Sequence, residues 1–423
     1  MQNKLALNST YTLTANLLVA LSNWLLLVII AKKFPDEFLG QFVLCLSLVS
    51  PIFLLLSLKL RTVIVVDFSN EHTLEQYIGT RLITSTVAVI LCISIGSYLF
   101  EDIPIWLFLL VCIYKFADSC SELSYSFSQC TGRFLYVACS QGSRSILSIT
   151  IMLVLAITTE SSLITIIGWT LSAVLYSFVD LIFANKFRQQ ENGVGINWFS
   201  LLADFTNFQT CWKMTKKYYP MSIGLVMGAL FVYIPTYVIE DSINIEAAGR
   251  FAAVSYFLTA GGVLVNSLSQ AVSPKFSGLI HKGLLESYRN LTIGMCAIGL
   301  AIGFAGVMVA LVGGQFFLTL FYNTQIGTLT DELVWILIAA SIRYVYIFIG
   351  TSMNSIKAFN IQTKIYSVGT IIVLLGCLWL VPLLGMVGAA YAMVIATSVE
   401  CIIFVFSFNR AYRALVQERH SNA

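Results

Sequence analysis

Stretches of about 20 predominantly apolar residues recur along the whole chain, and this repetition constrains the fold more than any single motif. Wound as an α-helix rising 1.5 Å per residue, each stretch is long enough to cross a hydrocarbon core about 30 Å thick. Twelve such spans are expected, near 11–31, 39–59, 81–100, 104–131, 134–158, 162–185, 218–239, 246–271, 290–313, 329–357, 364–383 and 386–408. The expected fold class is therefore an all-α polytopic membrane protein. Composition agrees: of 423 residues, 58% are hydrophobic and 11% charged, with a mean hydropathy of +0.85. Soluble domains carry about 25% charged residues.

The first span is not a cleaved signal. Its apolar run from Tyr11 to Ala31 is too long for a signal core and ends on Lys32 and Lys33 without a small-residue cleavage site. The longest polar segment, 186–217, includes "NWFSLLADFTNFQTCWKM" and reads as a linker with an interfacial helix. It divides the chain into a six-helix lobe over 1–185 and a second over 218–423 with a polar tail.

Cations give the orientation. With the N-terminus in the cytoplasm, 18 of the 24 Lys and Arg fall on the cytoplasmic side, Arg81 among them. The outer side holds only Lys32, Lys33 and Arg250, and Lys115, Arg144 and Arg343 fall inside spans. This is a strong positive-inside bias, with both termini cytoplasmic. Outer loops are short, the longest being 314–328, so no outer domain could house catalysis. An enzyme, in particular a polysaccharide polymerase or ligase, is disfavoured. Three scattered histidines and ten cysteines without a C-x-x-C pair suggest neither a metal site nor a cofactor.

A short repeat links the halves. Gly40 and Phe42 align with Gly249 and Phe251 at an offset of 209, each pair opening the second span of its half. Six helices per half preserve orientation, which predicts two pseudo-symmetric lobes around a central cavity and transport by alternating access.

The spans are not uniformly apolar. Lys115, Asp118 and Glu122 are spaced i, i+3, i+7 and share one face of the fourth span. Arg144 lies on the fifth span, Asp180 on the sixth, Arg343 on the tenth and Glu400 on the twelfth. Counted at 1.5 Å per residue, Lys115, Arg144 and Arg343 all sit roughly 15–20 Å deep, near the midplane. A charge there costs at least about 2.5 kcal/mol on insertion scales, so each must face a cavity or a partner. Internal salt bridges, Lys115 with Asp118 or Arg144 with Glu122, are one solution. The other is a water-filled cavity lined by the fourth and fifth spans; Asp118, Glu122, Asp180 and Glu400 are candidates for ion coupling or salt bridging.

The charged loop ending in "DEFLGQF", the two six-helix halves and "KKYYPMSIG" at Lys216–Gly224 resemble the polysaccharide flippases of the multidrug/oligosaccharidyl-lipid/polysaccharide exporter superfamily. Within it the chain is most similar to O-antigen flippases of the Wzx type. That resemblance implies a protein of the bacterial inner membrane. It implies transfer of an undecaprenyl-diphosphate-linked oligosaccharide from the cytoplasmic to the periplasmic leaflet. The implied partners are this lipid-linked oligosaccharide, membrane lipids and other polysaccharide-assembly proteins, with no nucleic acid. Under it, Arg144, Arg343 and Lys115 become the expected diphosphate contacts, because guanidinium and ammonium groups bind phosphate. A multidrug exporter of the same superfamily is the alternative, and a membrane polysaccharide polymerase is a more distant one.

The orientation is open to test in a background lacking native cysteines. Single cysteines at Ser161 and Thr328 should react with a membrane-impermeant maleimide from the periplasmic side. Labelling only after the inner membrane is opened would reverse the topology.

Overall fold

The computed structural model describes residues 2–66, 73–192, 208–356 and 358–422. Every regular element among them is a helix. In chain order these are α1 (Gln2–Lys33), α2 (Asp36–Leu56), α3 (Leu60–Val66), α4 (Leu74–Leu99), α5 (Ile105–Cys130), α6 (Phe134–Thr158) and α7 (Ser162–Asn192). They continue with α8 (Phe208–Ser242), α9 (Ile245–Lys282), α10 (Leu285–Phe321), α11 (Thr324–Gly327), α12 (Thr330–Asn354), α13 (Phe359–Leu384) and α14 (Met386–Asn422). Among the described residues, eleven helices are long and apolar enough to cross a membrane. The twelfth long helix is α5, whose 26 residues include Lys115, Asp118 and Glu122. The chain is an all-α, multi-pass membrane protein.

Local chemistry sets many of the helix ends. Thr73 and Gln76 form a reciprocal capping box at the start of α4. The Asn244 side chain accepts from the Ala247 N–H at the start of α9. Gly283, at φ +79°, closes α9 in the left-handed conformation that glycine adopts without strain. Several helices outrun their apolar stretches: α8 begins at Phe208, upstream of the expected 218. Residues 314–328, expected as the longest outer loop, are largely helical, because the apolar run continues through Phe321 past a break in helical geometry at Gly313. Of the linker, 193–207 lies outside the described residues.

The chain divides into two compact units, 1–229 and 230–423, with the boundary inside α8. In unit 1, α2, α4 and α5 pack pairwise, as do α5, α6 and α7. In unit 2, α9, α10 and α12 pack pairwise, as do α12, α13 and α14. The same six pairings thus recur, with α5 and α12 as the respective hubs. The G-x-F repeat sits in the same register in both, since Gly40 and Gly249 each lie four residues past the first residue of α2 and α9. Phe42 and Phe251 are both completely buried. Close packing at the unit 2 hub needs a small residue: a Cβ at Gly303 on α10 would run into the Ser341 backbone on α12.

One buried cation organises an end of unit 1. The chain leaves α2 through Leu58 and Lys59, both at positive φ, before starting α3. Leu58, Leu60 and Val63 join Tyr77 and Ile78 of α4, Leu123 of α5, and Met214 and Tyr218 of α8 in an apolar cluster. Beside it, Arg81 of α4 donates to the Ser57 carbonyl at 3.0 Å, the Ser119 carbonyl at 3.3 Å and Glu122 Oε2 at 2.7 Å. One guanidinium therefore ties the end of α2 to α4 and α5.

Arg81→Gln should cost roughly 3 kcal/mol, because it strands a carboxylate and two carbonyls. Glu122→Gln should cost nearer 1 kcal/mol, because that side chain is 40% exposed. Unfolding of the purified variants in mixed micelles measures both. Equal, small losses would mean that Arg81 does not organise this end of the unit.

Candidate functional site

The polar stripe of α5 faces two neighbouring helices. Its serines are mostly spent within the helix. Ser119 and Ser126 each donate to a carbonyl three residues back, at 2.8 and 2.6 Å. Ser119 also meets Ser85 of α4 at 3.0 Å. The charges reach further. Asp118 Oδ1 lies 2.8 Å from Arg144 Nη1 of α6. Glu122, expected as an alternative partner of Arg144, is instead held by Arg81. The reason is register: Glu122 lies one turn beyond Asp118, beside the part of α4 that carries Arg81.

Arg144 is fixed on a second side by aromatic rings. Its guanidinium carbon lies 5.4 Å from the centre of the Tyr114 ring. Tyr114 stacks on Trp169 of α7 with centroids 3.7 Å apart, and Trp169 in turn meets Phe42 edge-on at 5.7 Å. Arg144 Nη2 is buried without a hydrogen-bond acceptor among the described residues. Lys115 is half-buried on the same face as Asp118 and close enough to act on it electrostatically. Unit 1 therefore brings together Lys115, Asp118 and Arg144, with Glu122 and Arg81 one turn along.

Asp180 belongs to a separate network in unit 1. It is completely buried, and its Oδ1 accepts from Tyr136 at 2.9 Å and from Ser140 at 2.6 Å. Its Oδ2 is buried without a hydrogen-bond partner among the described residues.

In unit 2, Arg343 and Glu400 come together through aromatic side chains. Tyr346 donates to Glu400 Oε2 at 2.5 Å and stacks on Phe404 at 5.1 Å. Gly369 makes room for the carboxylate, since a Cβ there would overlap Glu400. Arg343 lies over the Phe231 ring at 5.2 Å, and Glu400, Tyr346 and Tyr366 act on it electrostatically. Among the described residues its Nη1 is buried without an acceptor, and no carboxylate lies within ion-pairing distance.

Both units thus hold an arginine in the middle of a spanning helix with a guanidinium N–H left unmatched. In a low-dielectric setting such a donor favours an anionic oxygen. Among the described residues, no three His, Cys, Asp or Glu side chains cluster as a metal would require.

Sequence reasoning missed Arg81 as an interior residue, counting it among cytoplasmic cations. The signal was present: Thr73-Leu-Glu-Gln76 is a capping-box sequence, which starts α4 at Leu74 and places Arg81 two turns inside. Tyr114 and Trp169 were missed because aromatic residues are abundant in the spans and carry no periodic mark.

The comparisons agree with this architecture. No family model matches the chain. A capsular polysaccharide biosynthesis protein, CapF of Staphylococcus aureus, is 24% identical over 408 residues, covering 96% of this chain and 99% of that protein. The lipid II flippase MurJ in an inward closed conformation superposes with a TM-score of 0.68 at 14% identity, covering 97% of this chain and 90% of that one. The Vibrio cholerae MATE transporter VcmN, in a point-mutant form, gives 0.66 at 13% identity, covering 97% and 98%. The chain has the fold shared by the lipid II flippase and the MATE transporters.

Proposed function

We propose that the protein is a flippase of the multidrug/oligosaccharidyl-lipid/polysaccharide exporter superfamily. It carries an undecaprenyl-diphosphate-linked oligosaccharide from the cytoplasmic to the periplasmic leaflet of a bacterial inner membrane. The glycan is a repeat unit of a surface polysaccharide, of which O-antigen is one type. Both termini are cytoplasmic, and the two lobes alternate access to the substrate. Arg144 and Arg343 contact the diphosphate, with Lys115 as a third cation. The protein makes and breaks no covalent bond, and other polysaccharide-assembly proteins hand it the substrate and receive it.

The observation that carries this reading is the unmatched guanidinium donor in each unit. A lipid diphosphate supplies what these donors lack: several anionic oxygens arriving together. Similarity to CapF supports a polysaccharide pathway, and the fold shared with MurJ supports a lipid-linked cargo. A multidrug exporter of the same fold would be expected to carry cations, and mid-span arginines disfavour them. For ion coupling, Asp180 and Glu400 are the better candidates. Asp118 and Glu122 are already engaged by arginines.

Deleting the gene should cause lipid-linked repeat units to accumulate on the cytoplasmic leaflet. The wild-type gene should clear them at native expression. Arg343→Ala should reduce export below about a tenth of wild type, and Arg343→Lys should retain part of it, since charge survives while the planar fork is lost. Normal export by Arg343→Ala would remove Arg343 from the site. Drug sensitivity without accumulation of lipid-linked sugar would favour the exporter reading.

A further inference from the structure

We propose that Asp118 is a resident anion for Arg144, occupying the arginine in the empty protein and giving way to the diphosphate. The inference rests on the flippase reading and adds how this part of the site is controlled.

Three features of the ion pair support it. The contact is single-pronged: Nη1 meets Oδ1 at 2.8 Å while Nη2 has no acceptor among the described residues. Arginine and a carboxylate can form a two-pronged fork, and a pair built only for stability would gain by using it. The two partners are also unequally buried. The Asp118 side chain is 36% exposed and that of Arg144 only 9%, so the carboxylate lies on the more open side of the pair and an incoming anion meets it first. The carboxylate screens the cation behind it.

The third feature is that both partners keep support when they separate. Arg144 remains over Tyr114, which is backed by Trp169. Asp118 lies one helical turn from Lys115, and both Lys115 and Arg81 already act on it electrostatically. Neither charge is stranded, so the exchange avoids the cost of an unpaired buried ion. A diphosphate outcompetes one carboxylate because it brings more charge and can engage Nη1 and Nη2 together. On release Asp118 returns, which weakens the grip and lets the substrate leave. Among the described residues unit 2 has no counterpart, since Arg343 has no carboxylate within ion-pairing distance and Glu400 accepts from Tyr346.

The test is binding of farnesyl diphosphate, with farnesol as the control, to the purified full-length protein in detergent. Asp118→Asn should bind about ten-fold more tightly than wild type, the scale of one charge-assisted contact no longer competed away. Adding Arg144→Gln should abolish that gain. A purely structural pair predicts a lower Tm for Asp118→Asn with unchanged or weaker binding, and that result overturns the inference. Failure of both wild type and Asp118→Asn to bind farnesyl diphosphate over farnesol would sink the diphosphate reading, and this inference with it. Wild-type binding without a gain in Asp118→Asn sinks the inference alone. Should Asp118→Asn not fold, the wild-type protein still decides. Carbodiimide labelling of Asp118, read by mass spectrometry, should rise several-fold on adding farnesyl diphosphate, and unchanged labelling overturns the proposal.

Discussion

A charge inside a membrane-spanning bundle costs several kcal/mol unless something meets it. Much of unit 1 is arranged around that cost. α5 carries two carboxylates and an ammonium group through the middle of the unit, and α4 and α6 each bring an arginine to it. The Arg81 contacts join α2, α4 and α5, and the Arg144 contact joins α5 to α6. α5 is thus both the helix least suited to lipid and the one around which its neighbours assemble. Its charges make it the exception among the long helices and also give it specific partners.

The second unit has the same pairing scheme but handles its interior charge differently. α12 occupies the place of α5, and its arginine faces rings rather than a carboxylate. Glu400 is satisfied by a phenol, not by the cation near it. Units that share a pairing pattern can therefore divide the work. One holds its arginine against a carboxylate, while the other keeps an arginine with no carboxylate within ion-pairing distance among the described residues.

Much of the architecture was legible in the sequence, because apolar length is a direct physical requirement for crossing a bilayer. The long helices overlie the expected spans, and the repeated G-x-F marks the same register in α2 and α9. Ends were less legible. The α8 start continues beyond its apolar core, where hydropathy weakens but backbone hydrogen bonding still favours the helix, whereas α10 follows its apolar run through Phe321, past the Gly313 break where a loop was expected. At the site, helical spacing was enough to put Lys115, Asp118 and Glu122 on one face. It could not say which carboxylate meets Arg144, because that depends on how α4, α5 and α6 are offset along their axes. Glu122 looked equally available until Arg81, supplied by another helix, claimed it. The Arg343 surroundings were opaque for the same reason: its phenols, ring and carboxylate come from α8, α12, α13 and α14.

The central claim is that buried arginines bind the diphosphate of a lipid-linked sugar as it changes leaflet. Its most direct test uses proteoliposomes containing the purified protein and a fluorescent undecaprenyl-diphosphate-linked sugar. A membrane-impermeant quencher reports which leaflet the sugar occupies. Wild-type protein should bring the label to the opposite leaflet, and the Arg144→Gln/Arg343→Gln double variant, folded and inserted equally well, should leave it where it began. Equal transfer by the double variant would contradict the account.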